Sequence, residues 1–348
     1  LPSFHIAYQS GSNGREAALV AEVSHLIGAR HYQTVVDDEW FLQQWDQWAR
    51  SSDRPSVTGL LTYIISGAAS DAGVVVALSG VGGSDLFCEK DIFYRLSQRK
   101  NWETRFAGMP TWFRGAILRA LLGTPGSAID PGLSRAHPEC LTPDALALAS
   151  RRISSDDTLC RFGFDWRKLG LTASYMPPSA FDAMQPGQSD AFHKITAVEC
   201  MGHLGNSVLR DADVYGLANS LEIRAPLLSR SVVDMVASLP TSIKRPAGRP
   251  PRFLLGRVLS GAVPQSVLAL PEKKPSLPFD KWLSGALFER CEAAIRAVCD
   301  AAPLDATAVL EDWQQGTGSR SADHRLALVC LGNYLTRAKP RHKPAKSS

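Results

Sequence analysis

The chain has 348 residues, 45% hydrophobic and 21% charged, a balance that suits one or two apolar cores and excludes disordered, collagen-like and coiled-coil readings. The formal charge is +4, but Lys339, Arg341, Lys343 and Lys346 in the acid-free segment 338–348 account for all of it. The body is therefore neutral, and composition supplies no argument for a nucleic-acid partner, which needs a basic stripe on the domain itself.

Seven cysteines, an odd number with no C-x-x-C pair and no zinc spacing, point to a reducing compartment and away from a structural metal. The opening LPSFHIAYQSGSNG has neither a basic n-region nor an apolar h-region, so it does not read as a secretory signal. The most apolar stretch, 59–80, is broken by Asp71 and several Gly and Ser, so it reads as helix plus strand and not as a membrane span. The expectation is a soluble cytoplasmic protein with no nucleic-acid and no membrane partner.

In chain order, FHIAY (4–8) reads as a strand and SGSNG as a polar turn. Residues 15–28 carry apolar positions near helical spacing and end on Gly28. HYQTVV (31–36) is a second strand, and Asp37 is placed to cap a helix over 38–50 whose Trp40, Phe41, Trp45 and Trp48 belong to the core. A helix over about 59–70 leads into VVVAL (74–78), a continuous apolar run of the kind that fills a central parallel strand. The alternation predicts an α/β fold, a doubly wound, mostly parallel sheet with ligands beyond the carboxyl ends of its strands. From about 96 onward strand signals vanish. Amphipathic segments at 112–123 and 143–152, a Pro- and Ser-rich connector at 173–190 and a long helix at 191–219 predict a largely helical C-terminal part.

Three segments carry residues suited to chemistry. In VVVALSGVGGSDLF the strand empties into a loop with Gly80, Gly82 and Gly83, where backbone N–H groups can approach an anion; an ordinary strand-to-helix turn that needs glycine remains the alternative. In VLRDADVYGLANSLEIRAPLL (208–228), Arg210 and Asp213 share a helix face. Glu222 and Arg224 point one way if their segment is extended; by base rates the plainer account of these charges is a solvated helix with a structural ion pair. In EKKPSLPFDKW (272–282), Lys273 and Lys274 sit in a loop, either as mobile charges for a polyphosphate or simply in solvent.

Taken together, these segments resemble the synthetase domain of the asparagine synthase family, the ATP-pyrophosphatase type of amide-forming ligase. DRPSVTGLLTYIISGAASDAGVVVALSGVGGSDLF (53–87) is similar to D-x-P-S-x-D-G-x-N-T-Y…ALSG-x-GGDELF. Residues 199–228 resemble E…LLRD-x-D…SLE-x-R-x-P, and residues 248–283 resemble GR-x-K-x-LL…RPK-x-GF…WL. The likeness runs collinearly over nearly the whole chain.

The resemblance implies an adenine nucleotide alpha-hydrolase-like fold and a reaction in which ATP and Mg²⁺ activate a carboxylate, aspartate in the family, as an acyl-adenylate. Ammonia or glutamine-derived nitrogen, delivered by a glutaminase domain, then forms the amide. Carried over by position, Ile6, Leu78, Ser79, Gly80, Gly82 and Gly83 would contact the nucleotide. Arg210, Asp213, Glu222, Arg224 and Lys273 would be catalytic, and Asp85 would hold Mg²⁺. The implied division is a partial nucleotide-binding part at 1–95, a helical remainder at 96–337 and a disordered basic tail at 338–348.

The sequence departs from the pattern at several places. The family's S-G-G-x-D-S pyrophosphate loop and its glutaminase half are not among these residues. Ser84 stands where a metal-binding Asp is expected, with Asp85 at the usual Glu, and Thr58 and Leu61 replace Asp and Asn. Val81 stands where many members have Glu, Cys88 replaces a Gly, and Glu272 falls at the usual Lys, so Lys273 serves only through a one-residue shift. A natural-product amide-forming cyclase of the lasso-peptide or β-lactam type, suggested by GGSDLFC (82–88), and a noncatalytic remnant are the alternatives.

Overall fold

The computed structural model describes residues 1–8, 14–87, 142–184, 190–246, 253–268, 277–301, 303–314 and 322–338, with isolated positions between them. Most of the helix expected at 112–123, the Lys273 loop and the basic tail lie outside the described residues.

The amino-terminal alternation is present. Strand β1 (Pro2–Tyr8) runs through helix α1 (Gly14–Leu26) into β2 (Arg30–Val36), and the two strands pair in parallel with Ile6 opposite Thr34. Asp37 caps α2 (Asp38–Ser51) as expected, its carboxylate accepting the Trp40 N–H at 2.8 Å and satisfying a donor left open by the first helical turn. Helix α3 (Gly59–Asp71) then leads to β3 (Val76–Leu78) and the short α4 (Gly83–Leu86).

Further along come α5 (Pro143–Ala149) and α6 (Asp156–Arg161), each entered through a Thr or Ser cap, and within the connector expected at 173–190 a six-residue helix spans Pro178–Ala183. The long helix expected at 191–219 is real but interrupted in kind. It comprises α7 (Ala191–Glu199), a π-helical stretch Cys200–Val208 and α8 (Leu209–Ala218). The wider π turn shifts the angular phase of every following residue, and after it Asp211, Ala212 and Tyr215 of α8 are buried.

One expectation needs correction. Strands do not end near residue 96: Glu222–Arg224 forms β4, which pairs in parallel with β3. A three-residue strand that alternates Glu, Ile and Arg is too short for periodicity to reveal, and only its pairing with β3 makes it one. The α/β class and the parallel pairing are present as expected, and the described residues form two parallel two-stranded sheets, β1 with β2 and β3 with β4. VVVAL is correspondingly not covered as a central strand would be: Val75 and Leu78 are 69% and 68% exposed.

The main core is aromatic and joins the two ends of the chain. Phe41, Trp45 and Trp48 of α2 pack with Leu60, Tyr63 and Ile64 of α3 and with four carboxyl-terminal helices that follow α9 (Arg230–Ser238). These are α10 (Phe279–Ser284), α11 (Phe288–Ala301), α12 (Ala306–Gln314) and α13 (Ala322–Ala338). Phe41 stacks on Trp282 with ring centroids 3.7 Å apart. Gly332 of α13 lies where any Cβ would strike the Ala294 backbone of α11, so glycine is what lets these helices approach so closely.

Polar ties reinforce the junction. The Asp38 carboxylate accepts from Lys281, from Tyr8 Oη at 2.6 Å and from Trp282 Nε1 at 2.6 Å, and these donors, Lys281 foremost, hold its pKa down to about 2. His324 lies 2.6 Å from Ser154 Oγ and 3.1 Å from Asp312, which pairs with Arg161, linking α6 to α12 and α13. No helix among the described residues is long and apolar enough to cross a membrane.

Candidate functional site

Because β3 and β4 are parallel, their carboxyl ends emerge side by side. The Ser79 N–H donates to the Arg224 carbonyl at 2.8 Å, which sets the Ser79–Gly83 loop against the end of the strand carrying Glu222 and Arg224. Within the loop the Val81 N–H donates to Ser79 Oγ at 3.2 Å and the Gly83 N–H to the Gly80 carbonyl at 3.1 Å. These bonds shape the turn, and they also engage three of the N–H groups that an anion nest would use. Gly82 has φ of 81°, and a Cβ there would lie 2.6 Å from Leu228; position 82 is therefore glycine for both conformation and space. Around Gly80, by contrast, a Cβ would meet nothing, so the backbone there is open to a ligand.

Glu222 and Arg224 do point the same way, as an extended segment requires. Arg224 Nε donates to Glu222 Oε1 at 2.7 Å, with both side chains more than half exposed. The pairing lowers the Glu222 pKa and raises that of Arg224, so both stay charged through the neutral range. On α8, Arg210 pairs with Asp53, and Asp213 is exposed. Ile6 is half-buried in β1 against the aromatic core, and Leu78 is exposed at the end of β3. Lys273 and its neighbour Glu272 lie outside the described residues.

Asp85 occupies different surroundings from those its expected role implies. It is buried at the start of α4, 4.0 Å from an Arg151 guanidinium that also pairs with the buried Glu199. Nearby, Ser84 Oγ donates to Glu89 at 3.4 Å. A carboxylate turned toward a guanidinium is poorly suited to bind Mg²⁺, and among the described residues no three His, Cys, Asp or Glu side chains converge as metal ligands. Among the described residues, the donors around Asp85 do not form a protein-held Mg²⁺ site.

Sequence reasoning missed the hub at Asp211. This buried carboxylate accepts from Ser56 Oγ at 2.6 Å, from Thr58 and from Arg54 at 3.2 Å, fastening the 53–58 loop that starts α3 onto α8. Asp53–Arg210 and Arg54–Asp211 thus form two adjacent pairs between the same two segments. The polar run DRPSVT was the available signal, but it did not name a partner. Nothing local foretold the Asp85–Arg151–Glu199 cluster, since its members come from three distant elements.

Fold and site together define an α/β domain that presents a glycine loop and a charged pair at the ends of two parallel strands, an arrangement suited to anionic ligands. The sequence profile of asparagine synthase matches residues 1–332, and the chain belongs to that family. It is similar to "Asparagine synthetase [glutamine-hydrolyzing] 1" of Bacillus subtilis (strain 168), with 23% identity over 302 residues, covering 83% of this chain and 44% of that protein. It is also similar to a "Putative asparagine synthetase [glutamine-hydrolyzing]" of Mycobacterium tuberculosis (strain ATCC 25618 / H37Rv), with 26% identity over 279 residues, covering 77% and 40%. The chain spans less than half the length of these curated relatives.

Proposed function

We propose that this chain carries the amide-forming half-reactions of an ATP-dependent carbon–nitrogen ligase. The observation that carries the reading is the β3–β4 pairing, which sets the Ser79–Gly83 loop beside Arg224 through the Ser79 N–H bond. Family membership supports the same class of reaction. A carboxylate oxygen of the substrate, aspartate in this reading, attacks the α-phosphorus of ATP, and the bond to pyrophosphate breaks. The nitrogen of ammonia, released from glutamine by a glutaminase domain, then attacks the acyl carbon. AMP leaves with the electron pair of the acyl–oxygen bond, and the amine loses a proton.

In this scheme Leu78, Ser79, Gly80, Gly82, Gly83 and Ile6 flank the nucleotide, which arrives with its own Mg²⁺. Arg224 and Arg210 offset charge on the carboxylate and phosphate oxygens, Glu222 and Asp213 take the amino group, and Lys273 meets the phosphates. Electrostatic stabilisation of this kind acts where negative charge develops, so losing one donor costs about 100-fold in turnover.

A second reading, a noncatalytic remnant, is favoured by one set of contacts: Arg210, Asp85 and the Ser79, Val81 and Gly83 N–H groups all have partners within the protein. ATP–pyrophosphate exchange, measured on the chain and on a form extended along its upstream reading frame, separates the readings. Exchange that depends on aspartate supports the ligase, exchange only with a peptide or larger acid supports the cyclase type, and failure to bind nucleotide in either form supports the remnant. In an active form, Arg224→Ala should lower turnover about 100-fold with an unchanged melting temperature, because the residue is exposed. Full activity in that variant would remove Arg224 from the site.

A further inference from the structure

Away from the strand ends, side chains from distant segments form a hydrogen-bonded chain where the loop between α5 and α6 meets the carboxyl-terminal helices. Ser154 Oγ lies 2.6 Å from His324 Nδ1, and His324 Nε2 lies 3.1 Å from Asp312 Oδ2. The other carboxylate oxygen of Asp312 accepts from Arg161 at 3.1 Å. Ser154 stands just before Ser155, the cap of α6; Asp312 belongs to α12, and His324 to the first turn of α13.

Each member is prepared for a distinct task. The Arg161 guanidinium balances the Asp312 carboxylate, whose side chain is fully buried. A carboxylate only accepts, so it draws the proton of the neutral imidazole to Nε2 and leaves Nδ1 as the acceptor for the Ser154 hydroxyl. His324 is itself 3% exposed, with the Phe162 ring beside it at 6.1 Å between centroids, so the imidazole is fixed and shielded from water. Ser154 is only half-buried, and an electrophile can reach it while the base and its carboxylate stay sealed. A hydroxyl within reach of a base, and a base oriented by a third group, is the arrangement that activates a nucleophile; geometry defines it, not sequence position.

We propose that Ser154 is an activated nucleophile, with His324 as its general base and Asp312 orienting the imidazole, and that it hydrolyses small neutral carboxylic esters. The Ser154 oxygen attacks the acyl carbon while its proton passes to His324 Nδ1. The bond from that carbon to the leaving alcohol breaks, and the alcohol departs with the bonding pair and the proton from His324. Water then attacks the acyl-serine and gives a proton to His324; the carboxylic acid leaves as the Ser154 oxygen recovers that proton. Asp157, exposed three residues further on, disfavours anionic acyl groups, which makes a neutral ester the matching class. None of these residues takes part in the ATP-dependent reading, so ester hydrolysis stands or falls without it.

A fluorophosphonate, which phosphonylates activated serines, tests this on the 348-residue chain, with the adduct mapped by mass spectrometry and turnover followed with 4-nitrophenyl acetate. A single adduct on Ser154 is expected. His324→Gln, whose amide can still accept from Ser154 and donate to Asp312, should keep the melting temperature and lower both rates about 100-fold. Ser154→Ala should remove the adduct, whereas Ser155→Ala, which alters the α6 cap, should keep it. An absent adduct, an adduct on another residue, or equal labelling of the urea-unfolded chain overturns the proposal. So does an unchanged rate in folded His324→Gln, which would leave the three side chains as a structural clamp. If His324→Gln does not fold, the adduct map and the urea control on the unaltered chain decide by themselves.

Discussion

The two faces of α3 meet opposite environments. Leu60, Tyr63 and Ile64 belong to the aromatic core, Tyr63 meeting Tyr215 of α8 edge to face, while Thr62, Ile65 and Ala69 line an apolar slot between the sheets. One helix, rich in apolar residues all round, is therefore fully matched on one side and faces a cavity on the other. A helix hydrophobic on every side belongs between two packed layers. Buried side chains are concentrated in the core, whereas Val76 and Leu78 at the β3 edge of the slot are 41% and 68% exposed.

That contrast can be broken most forcefully at Trp282. It stacks on Phe41 and donates to Asp38, so Trp282→Ala should cost about 3–5 kcal/mol in chemical denaturation. Next comes Asp211→Ala, which leaves Arg54, Ser56 and Thr58 without their shared acceptor; a loss of about 2–3 kcal/mol is expected from the same measurement.

A pH titration gives a smaller, directional effect. The Asp38 pKa is about 2 in the folded chain, below the value of about 3.9 usual for an unfolded aspartate. Its contribution is therefore complete above about pH 4 and lost as pH falls toward about 2. Asp38→Asn should flatten that part of the stability profile. The smallest effect belongs to the slot: Val76→Thr should change the stability of the isolated chain by less than about 0.5 kcal/mol. A large loss there would erase the contrast with the core.

Local chemistry made much of the first 87 residues legible. Asp37 caps α2, the Phe41–Trp45–Trp48 stripe faces the core, and FHIAY and HYQTVV pair as parallel strands. Each follows from side-chain periodicity or from a single capping carboxylate, signals that reside in a few consecutive residues. The loop glycines at 80–83 and the outward charges of Glu222 and Arg224 were legible for the same reason.

What local pattern could not decide is where distant segments meet. That Glu222–Arg224 is a strand at all depends on β3, and that Asp85 turns to Arg151 depends on α5 and α7 being packed together beside it. The sequence by itself determined most of the amino-terminal elements, the family resemblance and the residues able to carry chemistry, because these rest on short-range spacing and residue type. Only the tertiary structure decided which charges neutralise one another, that Asp211 anchors the loop before α3, and that β1 and β3 face each other across an apolar slot. Those outcomes are set by contacts between residues far apart in the chain, where burial and pairing, not local propensity, determine the free energy.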